Sequence, residues 1–170
     1  MKTVLQSLTL CAIAGALAAQ TDNPPVIPGK IGFAVAGVQG SAGIICSGYR
    51  CGVYPLGITR GETLALSIRT QLRSPWLLLV GIQPLVPCQT IPGIGNLWAG
   101  PTLIVAAGTV TAQDNIRCWG GKQSSSIPVP KTVPLKASVV FQVVADVQIS
   151  FSSPAKAPVF SAPVQVTVTR

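Results

Sequence analysis

Three carboxylates, Glu62, Asp114 and Asp146, are the residues beyond position 30 that could carry acid–base chemistry. A glycosidase needs two opposed carboxylates about 5–10 Å apart, and this set could supply one such pair. The sequence has no His, which removes the commonest general base near neutral pH and excludes Ser-His-Asp and Cys-His sites. Because the three carboxylates are widely separated and fall in turns or at a strand end, we expect turn-forming or solvated roles and no enzyme activity.

Cysteines offer a second kind of chemistry. Cys46, Cys51, Cys88 and Cys118 are an even number in a chain that carries an export signal, which predicts two disulfides. Three connectivities are open, and we favour Cys46–Cys51, which closes a small loop, with Cys88–Cys118, which ties two long loops. Zinc is the alternative, but Cys-x4-Cys without His matches known ligand spacings poorly. We therefore predict no metal and no cofactor.

Aromatic side chains could bind a ligand instead. Trp98 and Trp119 lie in or beside Gly-rich loops, where an exposed indole could stack on a sugar ring. The alternative is that each indole packs at one end of a hydrophobic core. That alternative is favoured, most strongly for Trp76, which lies in a continuous apolar run.

The N-terminal segment is typical of an export signal. Met1-Lys2 is a short basic start, the following stretch is mostly apolar, and Ala16-Leu17-Ala18 fits a signal peptidase site. We expect cleavage after Ala18, so residues 1–18 are a signal peptide and Cys11 is lost with it. Residues 19–30 read as an extended Pro-rich leader, and residues 31–170 as one domain.

Composition narrows the class of protein further. The chain has 170 residues, of which 48% are hydrophobic and 9% charged, with 17 Gly and 15 Pro. This balance excludes a disordered chain and argues against a helical one. The formal net charge is +8, but the basic residues are scattered singly, so they indicate solubility and no nucleic-acid partner. After signal cleavage no apolar run approaches the ~20 residues of a membrane helix.

The elements that would position these side chains are β-strands. Leu64, Leu66 and Ile68 alternate with polar or small residues, and Val164, Val166 and Val168 do the same, as in half-buried strands. The runs 76–80 and 139–144 are more continuously apolar, as central strands are, and 102–106 is also rich in β-forming residues. We predict an all-β fold: a single antiparallel β-sandwich, immunoglobulin-like or jelly-roll-like, with long Gly/Pro-rich loops.

Six segments follow one another in a characteristic order. The order resembles that of a β-sandwich module recurrent in exported proteins of planctomycete bacteria, whose function is largely unassigned. The module combines a Gly-rich Cys segment, a Gly-x-x-aliphatic strand, an apolar strand ending in Gly, a Pro-rich segment, an aromatic-Gln strand and a final Val-x-Val strand. The matching segments are Ser41 to Gly48, Gly61 to Ser67, Ser74 to Gly81, Ile127 to Pro130, Phe141 to Asp146 and Val164 to Val168.

The resemblance implies a β-sandwich and brings no catalytic residues with it. Gly100-Pro101 stands where the module often has a Gly-Cys pair, and Cys51, Cys88 and Cys118 have no assignable position in it. No disulfide pairing is therefore carried over from the module.

Together these features predict a secreted, non-catalytic structural or adhesive protein of the envelope or extracellular space. The sequence does not identify its partner; polysaccharide and other envelope proteins are the candidates. One alternative is a carbohydrate-binding module that uses Trp98 and Trp119. A more distant alternative is a hydrolase built on two of the three carboxylates.

Overall fold

The fold is known from a computed structural model, which describes residues 30–44, 53–92, 95–114, 120–150 and 152–170. Of the two predicted N-terminal segments, only Lys30 lies within these ranges. In the part of the chain that the structure describes there is no helix, hence none long and apolar enough to cross a membrane. The strands are β1 Gly32–Gly37, β2 Gly40–Ile44, β3 Tyr54–Ile58, β4 Thr63–Thr70, β5 Pro75–Ile91, β6 Gly95–Thr109, β7 Ala112–Gln113, β8 Gly121–Pro128, β9 Ser138–Ser150, β10 Ser153–Phe160 and β11 Val164–Val168.

The strands form two sheets that pack as a sandwich. Sheet A has the order β2-β1-β4-β8-β7, and sheet B has the order β3-β11-β9-β5-β6, with β10 beside β9. The predicted all-β sandwich is confirmed. The described pairs are antiparallel except β3 with β11, which run parallel from Tyr54 opposite Val164 to Ile58 opposite Val168. This exception is possible because a long connection separates the two strands, as parallel pairing requires.

One hydrophobic core joins the two sheets. Leu64, Leu66 and Ile68 of β4 are at most 2% exposed, as their alternation predicts, and they belong to the same buried cluster as Val143 and Val166 of sheet B. Burying each of these side chains stabilises the fold by roughly 1.5–3 kcal/mol. The period of two therefore identifies the inner face of each sheet.

The segment 140–143 of strand β9 is buried on both faces, within the apolar run that the sequence shows there. Along one edge it pairs with β5, and along the other it pairs first with β11 and then with β10. Val143 faces the core, whereas Val140 and Gln142 alternate onto the outer face and are nevertheless fully buried. Something must therefore cover the outer face of sheet B at this point.

Two strands lack the apolar pattern that identifies the others. The polar run Gln123-Ser124-Ser125-Ser126 forms half of β8, because a strand near the edge of a sheet does not need an apolar face. The second, β10, begins with Ser153-Pro154, residues that are typical of turns. Proline is tolerated there because β10 pairs along one edge only, with β9.

Candidate functional site

The longest pairing in the structure is the hairpin of β5 and β6, which extends from Pro75 opposite Thr109 to Ile91 opposite Gly95. Only Trp76–Gly81 of β5 also pairs with β9, so the distal part of the hairpin runs beyond the common sheet. Residues 74–113 contain no Asp, Glu, Lys or Arg. A chain with a net charge of +8 therefore presents one wholly uncharged hairpin.

The hairpin bends at Gly81. A Cβ atom at this position would lie 2.6 Å from the backbone nitrogen of Gly100 and 2.8 Å from Cα of Ala99, well inside van der Waals contact. Beside it the hydroxyl of Thr102 donates to the carbonyl of Ala99. The absence of a side chain on Gly81 thus lets the backbone of Ala99 and Gly100 approach β5 this closely. The segment Asn96–Ala99 reaches the outer face of sheet B, where Trp98 contacts Gln142.

Gln142 fastens that segment to β9. Its Oε1 accepts a hydrogen bond from the backbone N–H of Trp98 at 3.0 Å. Its Nε2 donates to the carbonyls of Asn96 at 2.7 Å and Ser161 at 2.9 Å. A buried primary amide is stable only when its polar atoms are paired, and here one amide joins three segments of chain. The sequence holds a signal for this role, since a Gln inside the apolar run 139–144 needs buried partners.

Trp98 is 7% exposed. Its indole therefore lacks the open ring face that stacking on a sugar requires, and the packing interpretation fits it better. Ala99 beside it is 1% exposed, and Leu79 and Val140 are buried outside the main core cluster. Trp119, the other predicted stacking residue, lies outside the described residues.

The free edge of the hairpin is apolar. Strand β6 ends sheet B, and no described strand pairs with its outer edge. Leu103, Ile104 and Val105 on this strand are 67%, 63% and 50% exposed. Val105 is the extra residue of a β-bulge, because Leu78 pairs with Ala106 whereas the next residue of β5 pairs with Ile104. A bulge is one of the features that hinder an edge strand from pairing with another strand. Charged side chains are the other common protection, and β6 has none.

Two of the three candidate catalytic carboxylates, Glu62 and Asp114, make contacts that stabilise the fold. Oε1 of Glu62 accepts from the N–H of Thr59 at 2.8 Å, and Oε2 accepts from the N–H of Val38 at 2.9 Å. Glu62 therefore ties the loop before β4 to the turn between β1 and β2. Asp114 pairs with Arg69, with 3.0 Å between Oδ2 and Nε, and both side chains are largely buried.

The fold keeps the three carboxylates apart. Glu62 precedes β4, whereas Arg69, the partner of Asp114, lies near its far end; at a rise of about 3.3 Å per residue this path is roughly 20 Å. Asp146 lies on the other sheet and faces outward, because its neighbour Ala145 faces the core. It borders a shallow hollow of about 260 Å³ whose described lining includes no second carboxylate. Among these three described carboxylates the structure brings no two together in one cleft.

Of the four predicted disulfide cysteines, Cys46, Cys51 and Cys118 lie outside the described residues. Cys88 lies in β5 and is disulfide-bonded. Its partner is not among the described residues, so the pairing with Cys118 stays a prediction. Within the described ranges no group of three or more Asp, Glu or Cys side chains could hold a metal ion.

No protein-family model matches the chain, and no curated protein matches it in sequence. Its function must therefore follow from its own geometry. The feature on which a function can be argued is the uncharged β5–β6 hairpin. Gln142 holds this hairpin against β9. Its strand β6 is the apolar edge strand of sheet B.

Proposed function

We propose that this protein is a secreted, non-catalytic structural component of the envelope or extracellular space that associates through strand β6. The observation that carries the proposal is the free, uncharged edge of β6 with Leu103, Ile104 and Val105 exposed. A contiguous apolar patch on an unpaired edge is a typical site for association by strand addition. The proposal that the protein is exported rests on the signal peptide predicted for residues 1–18.

The partner we propose for this edge is a second copy of the chain. Two copies with a net charge of +8 repel one another over most of their surface, but β6 lets them meet without bringing like charges together. Antiparallel pairing of β6 with itself around a two-fold axis would also satisfy both edges at once. The two copies of sheet B would then form one continuous sheet.

Sedimentation of the mature protein over a range of concentrations tests this proposal. We expect reversible dimers or larger assemblies for the wild type and monomers for Ile104→Lys, since a charge would then lie on the pairing edge. Val38→Lys is the matched control, because Val38 is 79% exposed in a turn far from β6. A monomeric wild type, or an Ile104→Lys variant that assembles like the wild type, would contradict the proposal.

The non-catalytic part of the proposal has its own test. The mature protein should show no turnover of glycoside, ester or peptide substrates. Turnover that is lost in Glu62→Gln, Asp114→Asn or Asp146→Asn would favour the hydrolase alternative. Sugar binding that is lost only in Trp119→Ala would favour the carbohydrate-binding alternative.

Two finer proposals accompany this function. We keep the pairing Cys88–Cys118, which would tie the hairpin to the segment before β8, together with Cys46–Cys51. We also propose a relation to the planctomycete module. It is supported by the placement of the matching segments Gly61 to Ser67, Ser74 to Gly81, Phe141 to Asp146 and Val164 to Val168, which supply strands of both sheets.

A further inference from the structure

A second feature lies at the end of the sandwich that is closed by the connector between β8 and β9. Here the two sheets and the connector border an apolar cavity of about 170 Å³ that is partly open to solvent. Leu64 lines it from sheet A, and Ile58, Phe141 and Val168 line it from sheet B. The connector, residues 129–137, forms its roof.

The interior of this cavity is apolar and offers water few partners. Ser138 is the only lining residue with a polar side chain among those described, and its hydroxyl already has partners: it donates to the carbonyl of Val166, and it accepts from Gln165. A buried water needs two to four polar partners, which this cavity does not offer. Apolar cavities of about 150 Å³ stay free of water and take up benzene-sized molecules.

The roof is suited to admit such a molecule. It is anchored at its ends by three long-range bonds: the N–H of Val129 donates to the carbonyl of Glu62 at 2.8 Å, the N–H of Lys136 donates to the carbonyl of Val168 at 2.8 Å, and the carbonyl of Ala137 accepts from the N–H of Val168 at 2.9 Å. The bonds described between these anchors are local turns within the roof. Leu135, the bulkiest apolar side chain of the roof, is 52% exposed and leaves the space beneath unfilled. Displacing the roof would therefore break few long-range bonds.

The positive charges of the roof favour an anionic ligand over a neutral or cationic one. Lys131 follows Pro130 and Lys136 precedes Ala137, and both of these neighbours line the cavity. Both lysines are exposed, and residues 129–137 contain no Asp or Glu. The oxygens of nearby Glu62 already accept two backbone N–H groups. The opening thus favours a negative charge at the outer end of a ligand.

We propose that this cavity binds a small apolar molecule with an anionic end, of the class of a six-carbon carboxylate. The apolar body occupies the space between the sheets, and the carboxylate faces Lys131 and Lys136. This binding is independent of association through β6, because the connector and the hairpin are separate parts of the fold.

Calorimetric titration of the mature protein with hexanoate, 1-hexanol and hexylamine tests the proposal. We expect saturable 1:1 binding, tightest for hexanoate and weakest for hexylamine. Ala137→Leu, which adds atoms to the cavity lining, should weaken hexanoate binding at least tenfold. Ala112→Leu, at an exposed position of β7, is the matched control and should leave binding unchanged. If Ala137→Leu fails to fold, Val133→Leu at the roof replaces it.

The double variant Lys131→Gln, Lys136→Gln addresses the anionic end by itself. It should weaken hexanoate binding several-fold and leave 1-hexanol binding unchanged. Absence of saturable binding, unchanged affinity in the cavity-filling variant, or equal affinities for hexanoate and hexylamine would each overturn the proposal.

Discussion

The side-chain carbonyl of Gln142 accepts a hydrogen bond from the backbone N–H of Trp98 at 3.0 Å, although 44 positions separate the two residues. Gln142 is fully buried and Trp98 is 7% exposed. This bond, with the two that the same amide donates, closes the hairpin over the outer face of β9. It explains why that face is buried at Gln142, where a sandwich would ordinarily be in contact with water.

Gln142→Leu should therefore lower the free energy of unfolding by about 3 kcal/mol, because it leaves a backbone N–H and two carbonyls without the partner they now have. Denaturant unfolding measures this loss. Gln165→Leu is the control: Gln165 is half-buried and donates one bond to Ser138, so its loss should be about 1 kcal/mol or less. Equal losses in the two variants would contradict the proposed role of Gln142.

Gly81→Ala should destabilise the hairpin bend, because the added Cβ meets the backbone of Ala99 and Gly100, which cannot rotate away. We expect a loss of about 2 kcal/mol. Gly57→Ala is the matched control, since its Cβ would meet the side chain of Thr169 at 3.2 Å, and an exposed side chain can move. Thermal unfolding compares the two; a Gly57→Ala variant that loses as much as Gly81→Ala would refute this account of the bend.

Asp114→Asn should cost about 1–3 kcal/mol, because it leaves the largely buried guanidinium of Arg69 without its counter-charge. The double variant Arg69→Met, Asp114→Asn should recover much of that loss, since neither charge then remains unpaired. A double-mutant cycle of unfolding free energies checks this prediction. Additive losses would show that the two side chains do not interact.

Thiol labelling of the denatured, unreduced mature protein should find no free thiol at Cys46, Cys51, Cys88 or Cys118, because Cys88 is disulfide-bonded and two disulfides are predicted from the even number. After reduction all four should react. Stoichiometric labelling of any one of them before reduction would rule out two intramolecular disulfides.

Strand identity could be predicted wherever burial imposes a period of two. Leu64, Leu66 and Ile68 alternate because one face of β4 meets the core and the other does not. Strand β8 could not be predicted in this way, because a strand near the edge of a sheet can be built from Ser and Gln. The parallel direction of β3 could not be predicted either, because its five residues show no pattern that distinguishes parallel from antiparallel pairing.

The candidate site was harder to predict than the fold. The burial of Trp98 depends on the bend at Gly81 and on the amide of Gln142, which are both distant from it in sequence. The separation of the carboxylates follows from the placement of Glu62 and Asp114 toward different ends of sheet A and of Asp146 within β9 of sheet B, not at the end of that strand. Neither relationship is local, so neither shows in a pattern of neighbouring residues.

The position of β11 affects the order in which the protein can fold. This last strand lies between β3 and β9, and β3 has no other partner in sheet B among the described strands. Tyr54 of β3 can pair only after Val164 of β11 is in place. The sandwich therefore closes only when nearly the whole chain is available. Contacts between residues so far apart in sequence form slowly. If the chain is exported unfolded, as we propose, late closure would keep it in an extended form until it has passed through the membrane.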